Sequence, residues 1–241
     1  MGSLSVAEAA KLLGVGVARV HQRIADGSLQ AERIGSQWVV DELSVLEIAE
    51  RRSSGRPLSA RSAWALIGLA ERDEAAFAGL APMERHRAAE RLAKLFALVS
   101  VPVVGEEEVR EVAAALRARL RRRAARWLFR AAGADLPGLC SDTRWVPLGL
   151  SAPAGGLGAA EIVEGYVADA DAAQLSADHL LVPVQRDANV VMHVVPDGHQ
   201  ANAESRLLLA ADLAEHRGPR EELRAVELLR ELAVNFADGS P

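Results

Sequence analysis

Apolar positions recur at helical spacing along the first half of the chain and fall into short β-like runs after about residue 124. The pattern is sharpest in the first fifty residues. Ser5-Val6-Ala7-Glu8 reads as a capping box in which Ser5 and Glu8 satisfy each other's amides, and a helix follows through Leu13. Gly14-Val15-Gly16 breaks it. A second helix is expected over 17–26, with Val17, Val20 and Ile24 facing one core and Gly27 closing the last turn. The segments 29–34 and 37–40 flank Gly35-Ser36, a two-residue hairpin signal. Asp41 can cap a third helix over 42–52, buried through Leu43, Leu46 and Ile48. Helix, glycine turn, helix, hairpin and helix predict a winged helix-turn-helix.

Ser53-Ser54-Gly55-Arg56-Pro57 reads as a linker. Beyond it helices are expected over 59–70, 82–98 and 106–123, the last with Val109, Val112, Leu116 and Leu120 as its apolar stripe. Strand-like runs follow at 126–130, 145–150, 161–167 and 189–195, separated by helical segments near 134–140 and 170–178. Two helices close the chain, joined at Gly218-Pro219, and the second carries Ala225, Leu228, Leu229, Leu232 and Phe236 on one face. The expected fold class is mainly α with an α+β C-terminal part. Its expected divisions are a winged helix-turn-helix at 1–52, a linker and helical segment at 53–123, and an α/β domain for partner binding or dimerisation at 124–241.

Composition narrows the function classes. Half of the 241 residues are hydrophobic, enough for a substantial core, while four Phe, four Trp and one Tyr are too few for a base-stacking platform. Apolar stretches such as 97–104 and 207–211 fall short of the roughly 20 residues of a membrane span. Glu8 and Lys11 interrupt any leader-like start, and the single Cys140 excludes a disulfide framework or a multi-cysteine zinc site. A cytoplasmic, nucleoid-associated protein without a membrane partner is expected. Charge is uneven: residues 1–60 balance seven basic against seven acidic groups, 61–130 carry fourteen against nine, and 131–241 carry seven against seventeen.

With Val17, Val20 and Ile24 inside, the second helix exposes Arg19, Gln22 and Arg23, residue types that read base edges and phosphates: Arg forks to guanine, Gln to adenine. Arg33 on the first wing strand, with Ser36 and Gln37 at the tip, can reach the backbone or minor groove. A helix-turn-helix that serves only as a packing or protein-binding module is the alternative. Double-stranded DNA is the expected partner.

The segment SVAEAAKLLGVGVARVHQRIADGSLQAERIGSQWVV resembles the excisionase-like, MerR-related helix-turn-helix family over residues 4–50. Gly16 stands where that family usually has a capping Ser, and Gln37 where a basic wing residue is common. The segments GRPLSARSAWAL, VEGYVADADAAQL and NVVMHVVPD resemble, in order, a group of actinobacterial regulators similar to AbiEi-type antitoxins. That resemblance implies a DNA-binding autorepressor whose partner is a nucleotidyltransferase-like toxin from a neighbouring gene, with homodimerisation open. A phage-type excisionase or DNA-bending factor, and a ligand-sensing or protein-interaction regulator, are the alternatives.

Two basic features admit more than one reading each. Arg56 and Arg61 bracket Pro57-Leu58-Ser59 and can grip phosphate, or else pair within their own domain with Trp64 as core. Arg117, Arg119, Arg121, Arg122, Arg123, Arg126 and Arg130 form the solvated end of a helix that opens on Glu106-Glu107-Glu108, which is the dipole-matched default, or else contact DNA or the acidic C-terminal half of this or another chain.

No enzyme signature is complete. Gly14-Val15-Gly16 lacks the third glycine of a dinucleotide loop, and the glycine run at 155–158 lacks the Lys-Ser/Thr of a phosphate loop. Gly149-Leu150-Ser151-Ala152-Pro153 lacks the second glycine of a nucleophile elbow. His193 and His199 straddle a turn rather than forming a helical metal pair, Asp169 and Asp171 suit helix capping, and Cys140 reads as a small packed residue. Neither a metal, a cofactor nor a catalytic role is expected.

Overall fold

The computed structural model describes residues 3–53, 57–74, 76, 79–100, 105–155 and 162–238. They form two compact units, Met1–Arg56 and Pro57–Pro241.

In the first unit, strand β1 (Ser3–Ser5) leads into helix α1 (Val6–Leu13). Glu8 N donates to Ser5 Oγ at 3.2 Å and Ser5 N donates back to Glu8 Oε2 at 2.7 Å, so the capping box is made. Gly14, at φ 60°, lets the chain reverse in the left-handed region and caps α1. Helix α2 (Val17–Ala25) starts on Gly16, which offers no side-chain cap. Strands β2 (Ala31–Ile34) and β3 (Gln37–Asp41) pair antiparallel, with Ile34 opposite Gln37 across the two-residue turn. Asp41 accepts from Ser44 N at 2.9 Å at the start of helix α3 (Glu42–Ser53).

Three features differ from the sequence pattern. β1 joins the wing, giving the order β1-β3-β2, a strand too short to leave a periodic signal. Val17 is 47 % exposed, because the first turn of α2 projects past the core that Val20, at 0 %, fills. Helix α3 is buried through Val45 and Ile48, with Leu46 half-buried, while the side chain of Leu43 lies outside the described residues. The core of this unit gathers Ala9, Ala10, Leu13, Val20, Leu29, Val40, Val45 and Ile48.

The second unit opens with helices α4 (Ala60–Ala70), α5 (Pro82–Phe96) and α6 (Glu106–Leu120). Ser59 caps α4, its hydroxyl accepting from Ser62 N. Strand β4 (Ala125–Arg130), helix α7 (Leu136–Cys140), strand β5 (Val146–Pro147), strand β6 (Val163–Ala168), helix α8 (Asp169–Asp178), strand β7 (Val182–Pro183) and strand β8 (Val190–Val195) follow. Helices α9 (Arg206–Glu215) and α10 (Pro219–Ala237) end the fold. The sheet runs β5-β6-β8-β4-β7, with β6 and β8 parallel and every other pair antiparallel. All six residues of β8 and five of six in β6 are buried, as expected of a parallel pair covered on both faces. Gly165 of β6 is required because a Cβ there would stand 2.4 Å from the Trp145 ring.

The expected division at residue 123 does not match this packing. Leu66, Leu92, Leu95, Leu116 and Leu120 of α4–α6 share one core with Leu208, Leu213, Leu228 and Leu229 of α9 and α10, together with Tyr166 and Val195 of the sheet. The middle helices are therefore one layer of the second unit. A second core, with Phe129, Trp145, Val163, Leu175 and Met192, lies between the sheet and helices α7 and α8. Residues 156–161 lie outside the described residues, with most of the glycine run and the expected start of the third strand. Among the described residues no helix is long and apolar enough to cross a membrane.

Candidate nucleic-acid interface

The outward face of α2 is built by what its inward face buries. Val20 is fully buried and Ile24 half-buried, so Ala18, Arg19, His21 and Gln22 turn to solvent, and Val17 joins them. Arg19 and Gln22 are three apart and therefore neighbours on the helix surface, and an Arg19 guanidinium nitrogen donates to Gln22 Oε1. Arg23 is less exposed than the sequence suggests. It is half-buried, and its Nε is covered without a hydrogen-bond partner among the described residues. The reason is angular: residue 23 lies on the helix flank between Val20 and the outward apex.

Arg33, Ser36 and Gln37 are all exposed on the wing. Arg33 stands opposite Trp38 in the β2–β3 ladder, and Gly35 takes φ 61° at the tip. The structure thus brings Arg33, Ser36 and Gln37 together on one hairpin and Arg19 and Gln22 together on one helix face.

The other sequence candidates fall in different places. Arg56 lies outside the described residues. Arg61 forms a two-pronged pair with Glu84, Nε to Oε1 at 2.7 Å and a terminal nitrogen to Oε2 at 2.9 Å, and the Glu84 carboxyl is held down at about 2 by that hydrogen bonding. Trp64 is core, as its alternative reading had it, with its indole N–H donating to Arg123 O at 2.7 Å.

The arginine run is not a single solvated face: Arg117 and Arg123 meet the acidic C-terminal part of the chain. Helix α6 ends at Leu120, and the chain then turns inward. Arg117 is buried and donates to Glu222 Oε1 at 2.7 Å and to Ala214 O at 2.6 Å. Arg123 is 1 % exposed and donates to Asp212 Oδ1, to Glu215 Oε1 at 2.6 Å and to Tyr166 Oη at 2.7 Å. Arg121, Arg122, Arg126 and Arg130 are exposed and Arg119 half-buried.

Sequence reasoning missed the polar centre that Arg123 enters. Glu164 of β6, wholly buried, accepts from Leu150 N at 2.9 Å, and its two oxygens lie 2.9 Å from His193 Nε2 and 2.7 Å from His216 Nε2. Burial opposes the charge on Glu164, but the two histidines outweigh it and hold the carboxyl well below the usual range. His216 moves the other way: burial disfavours its cation, yet Glu164 raises its pKa. Tyr166 donates to Asp212 at 2.6 Å and stacks on His193, and burial pushes its own pKa up, so it stays a donor. The available signal was charge inside apolar runs: Glu164 in IVEGYVA and Asp212 in LLLAADLAE.

The second unit also holds a cavity of about 450 Å³ lined by α4, by Glu71, Asp73, Ala76, Gly79 and Leu80, and by the loop before α9. Trp64 and His199 stack in its wall with ring centroids 5.3 Å apart, and Glu71 in the same wall accepts from Ser205 Oγ at 2.8 Å and Leu207 N at 2.9 Å. No group of three or more metal-ligating side chains occurs among the described residues. Asp169 and Asp171 sit in the first turn of α8 after its Ala168 cap, and Cys140 is exposed rather than packed.

The first unit thus has the helix pair, glycine turn and wing of a winged helix-turn-helix. A family model described as a helix-turn-helix domain matches residues 3–53. Comparisons with curated proteins and with solved structures gave no match.

Proposed function

We propose that this protein is a DNA-binding transcriptional regulator that reads the major groove with α2. The observation that carries the reading is the Arg19–Gln22 pair, exposed on the second helix of a helix-turn-helix unit beside an exposed wing. Arg19 and Gln22 meet base edges, Arg23 reaches the groove from the flank of the same helix, and Arg33, Ser36 and Gln37 hold the backbone and fix register. No catalytic step and no cofactor belong to this reading.

Within that class the sequence resemblance favours an antitoxin-like autorepressor, its second unit engaging a nucleotidyltransferase-like toxin or a second copy of the chain. An excisionase-type bending factor needs only the first unit, so the large second unit weighs against it. Footprinting on the region upstream of the protein's own gene tests the regulator: protection is expected, and equal protection by an R19A/Q22A double variant would exclude α2 as the reader. Rescue of growth when the protein is co-expressed with the neighbouring toxin gene tests the antitoxin role.

The cavity walled by Trp64, His199 and Glu71 supports a second reading, a ligand-responsive regulator, since its volume is in the range of small-molecule sites. Mass spectrometry of protein purified under native conditions tests it; a bound small molecule lost on Trp64→Ala supports ligand sensing.

A further inference from the structure

Helical spacing groups Val17 with Val20 and Ile24 in the core, yet Val17 is 47 % exposed. A single exposed apolar side chain is ordinary on a protein surface. This one stands at a particular place. It is the first residue of α2, the end from which the second helix of a helix-turn-helix contacts base edges.

Side chains on a helix lean toward its N-terminus, so the two methyl groups of Val17 reach past the end of α2. Open space lies ahead of them: Gly16 has no side chain, and a Cβ built there or at Gly14 meets no atom within 4 Å among the described residues. Val15 turns back to pack against the core of the unit. Ala18, exposed beside Val17, adds one more methyl. Polar side chains begin at Arg19 and continue through His21, Gln22 and Arg23, each further along the helix. His21, one turn on, leans back toward Val17 but leaves it open to solvent. The side chains that lead α2 are therefore apolar.

One group in the major groove suits such a surface. Thymine carries a C5 methyl there, whereas cytosine, adenine and guanine present only donors and acceptors. Those groups would lose water against Val17 and gain no hydrogen bond in return. A methyl gains by the same burial.

We infer that Val17 is a specificity-determining residue that selects thymine, through its C5 methyl, at the base pair the leading end of α2 meets. The inference rests on the DNA-binding reading above and adds to it a contact made without a hydrogen bond.

The test starts from the duplex that the full chain enriches from a randomised library. Each thymine of that site is replaced singly by deoxyuridine, which removes the methyl and keeps every hydrogen-bonding group. Affinities of the intact protein, V17A and V17S are compared on each duplex. Both changes fall at an exposed position, so circular dichroism should show the helix content kept. At one position of each half-site, uracil is expected to weaken binding by the intact protein about three- to fourfold, the scale of one buried methyl group. Both variants are expected to lose most of that difference while still binding the site. A site without thymine, a site indifferent to every uracil, or a uracil effect undiminished in both variants overturns the assignment and leaves DNA binding intact. No enrichment from the library removes the DNA-binding reading, and the inference with it.

Discussion

Arg123→Met strands the carboxylates of Asp212 and Glu215, which both accept from that guanidinium inside the second unit. Breaking a buried pair by removing one partner costs about 3–5 kcal/mol, because the two carboxylates lose their shared close counter-ion, leaving Glu215 with Arg126 at 3.5 Å. Arg122→Ala, at an exposed neighbour, should stay within about 0.5 kcal/mol, and urea unfolding of the two variants measures the contrast. The same centre sets a pH dependence. His216 has a raised pKa in the fold, so its contribution is fully present below the ordinary histidine value and is lost as pH rises through the folded value. Glu164 is shifted down, so its contribution is present above the ordinary carboxylate value and fades as pH falls toward its low folded value. Stability is expected to fall on both sides, and His216→Gln should flatten the alkaline limb. A midpoint against urea that is unchanged from pH 6 to 9 in the intact protein would contradict this assignment.

Gly16 caps α2 with extended backbone at φ −73° and ψ 154°, and nothing lies within 4 Å of a Cβ built there. A serine fits that geometry and adds an acceptor for an orphan amide of the first turn, so G16S should stabilise α2 by a few tenths of a kcal/mol. Native-state hydrogen exchange checks it: protection over Val17–Ala25 should rise by about 1.5–2-fold, with α9 unchanged as a reference. Elements were legible where a local rule sets them. The Ser5–Glu8 box, the Gly35-Ser36 turn and the Gly218-Pro219 junction each carry a local backbone constraint in two to four residues. Elements defined only by a distant partner were not legible. Strands β1 and β7 span three and two residues, and only the ladder to a neighbour makes them strands. The candidate site divides the same way. Exposure of Arg19 and Gln22 follows from helical angle, whereas the exposure of Val17, the half-burial of Arg23 and the Arg19–Gln22 hydrogen bond depend on where the core stops and on side-chain geometry.

The whole chain carries 33 acidic against 28 basic residues, but Met1–Arg56 is balanced, so the acid excess belongs to the second unit. A fragment ending at Arg56 retains an entire core, Ala9 through Ile48, and should melt cooperatively on its own. Salt dependence then decides which unit touches DNA, since each phosphate neutralised steepens the slope of log affinity against log salt by about 0.9. Were the arginines at 119, 122, 123 and 126 a phosphate stripe, the full chain would exceed the fragment by roughly 3–4 units of slope per protomer. Arg123 cannot take part, being 1 % exposed with Asp212 and Glu215 on its guanidinium, and Arg126 Nε stands 3.5 Å from Glu215. Only Arg119 and Arg122 remain of the four, on a unit whose acidic excess repels the backbone. Fragment and full chain, compared as monomers on one half-site, should therefore differ by less than about 1 in slope. A difference of 2 or more that vanishes in an R119Q/R122Q variant would move part of the DNA-binding surface onto the second unit.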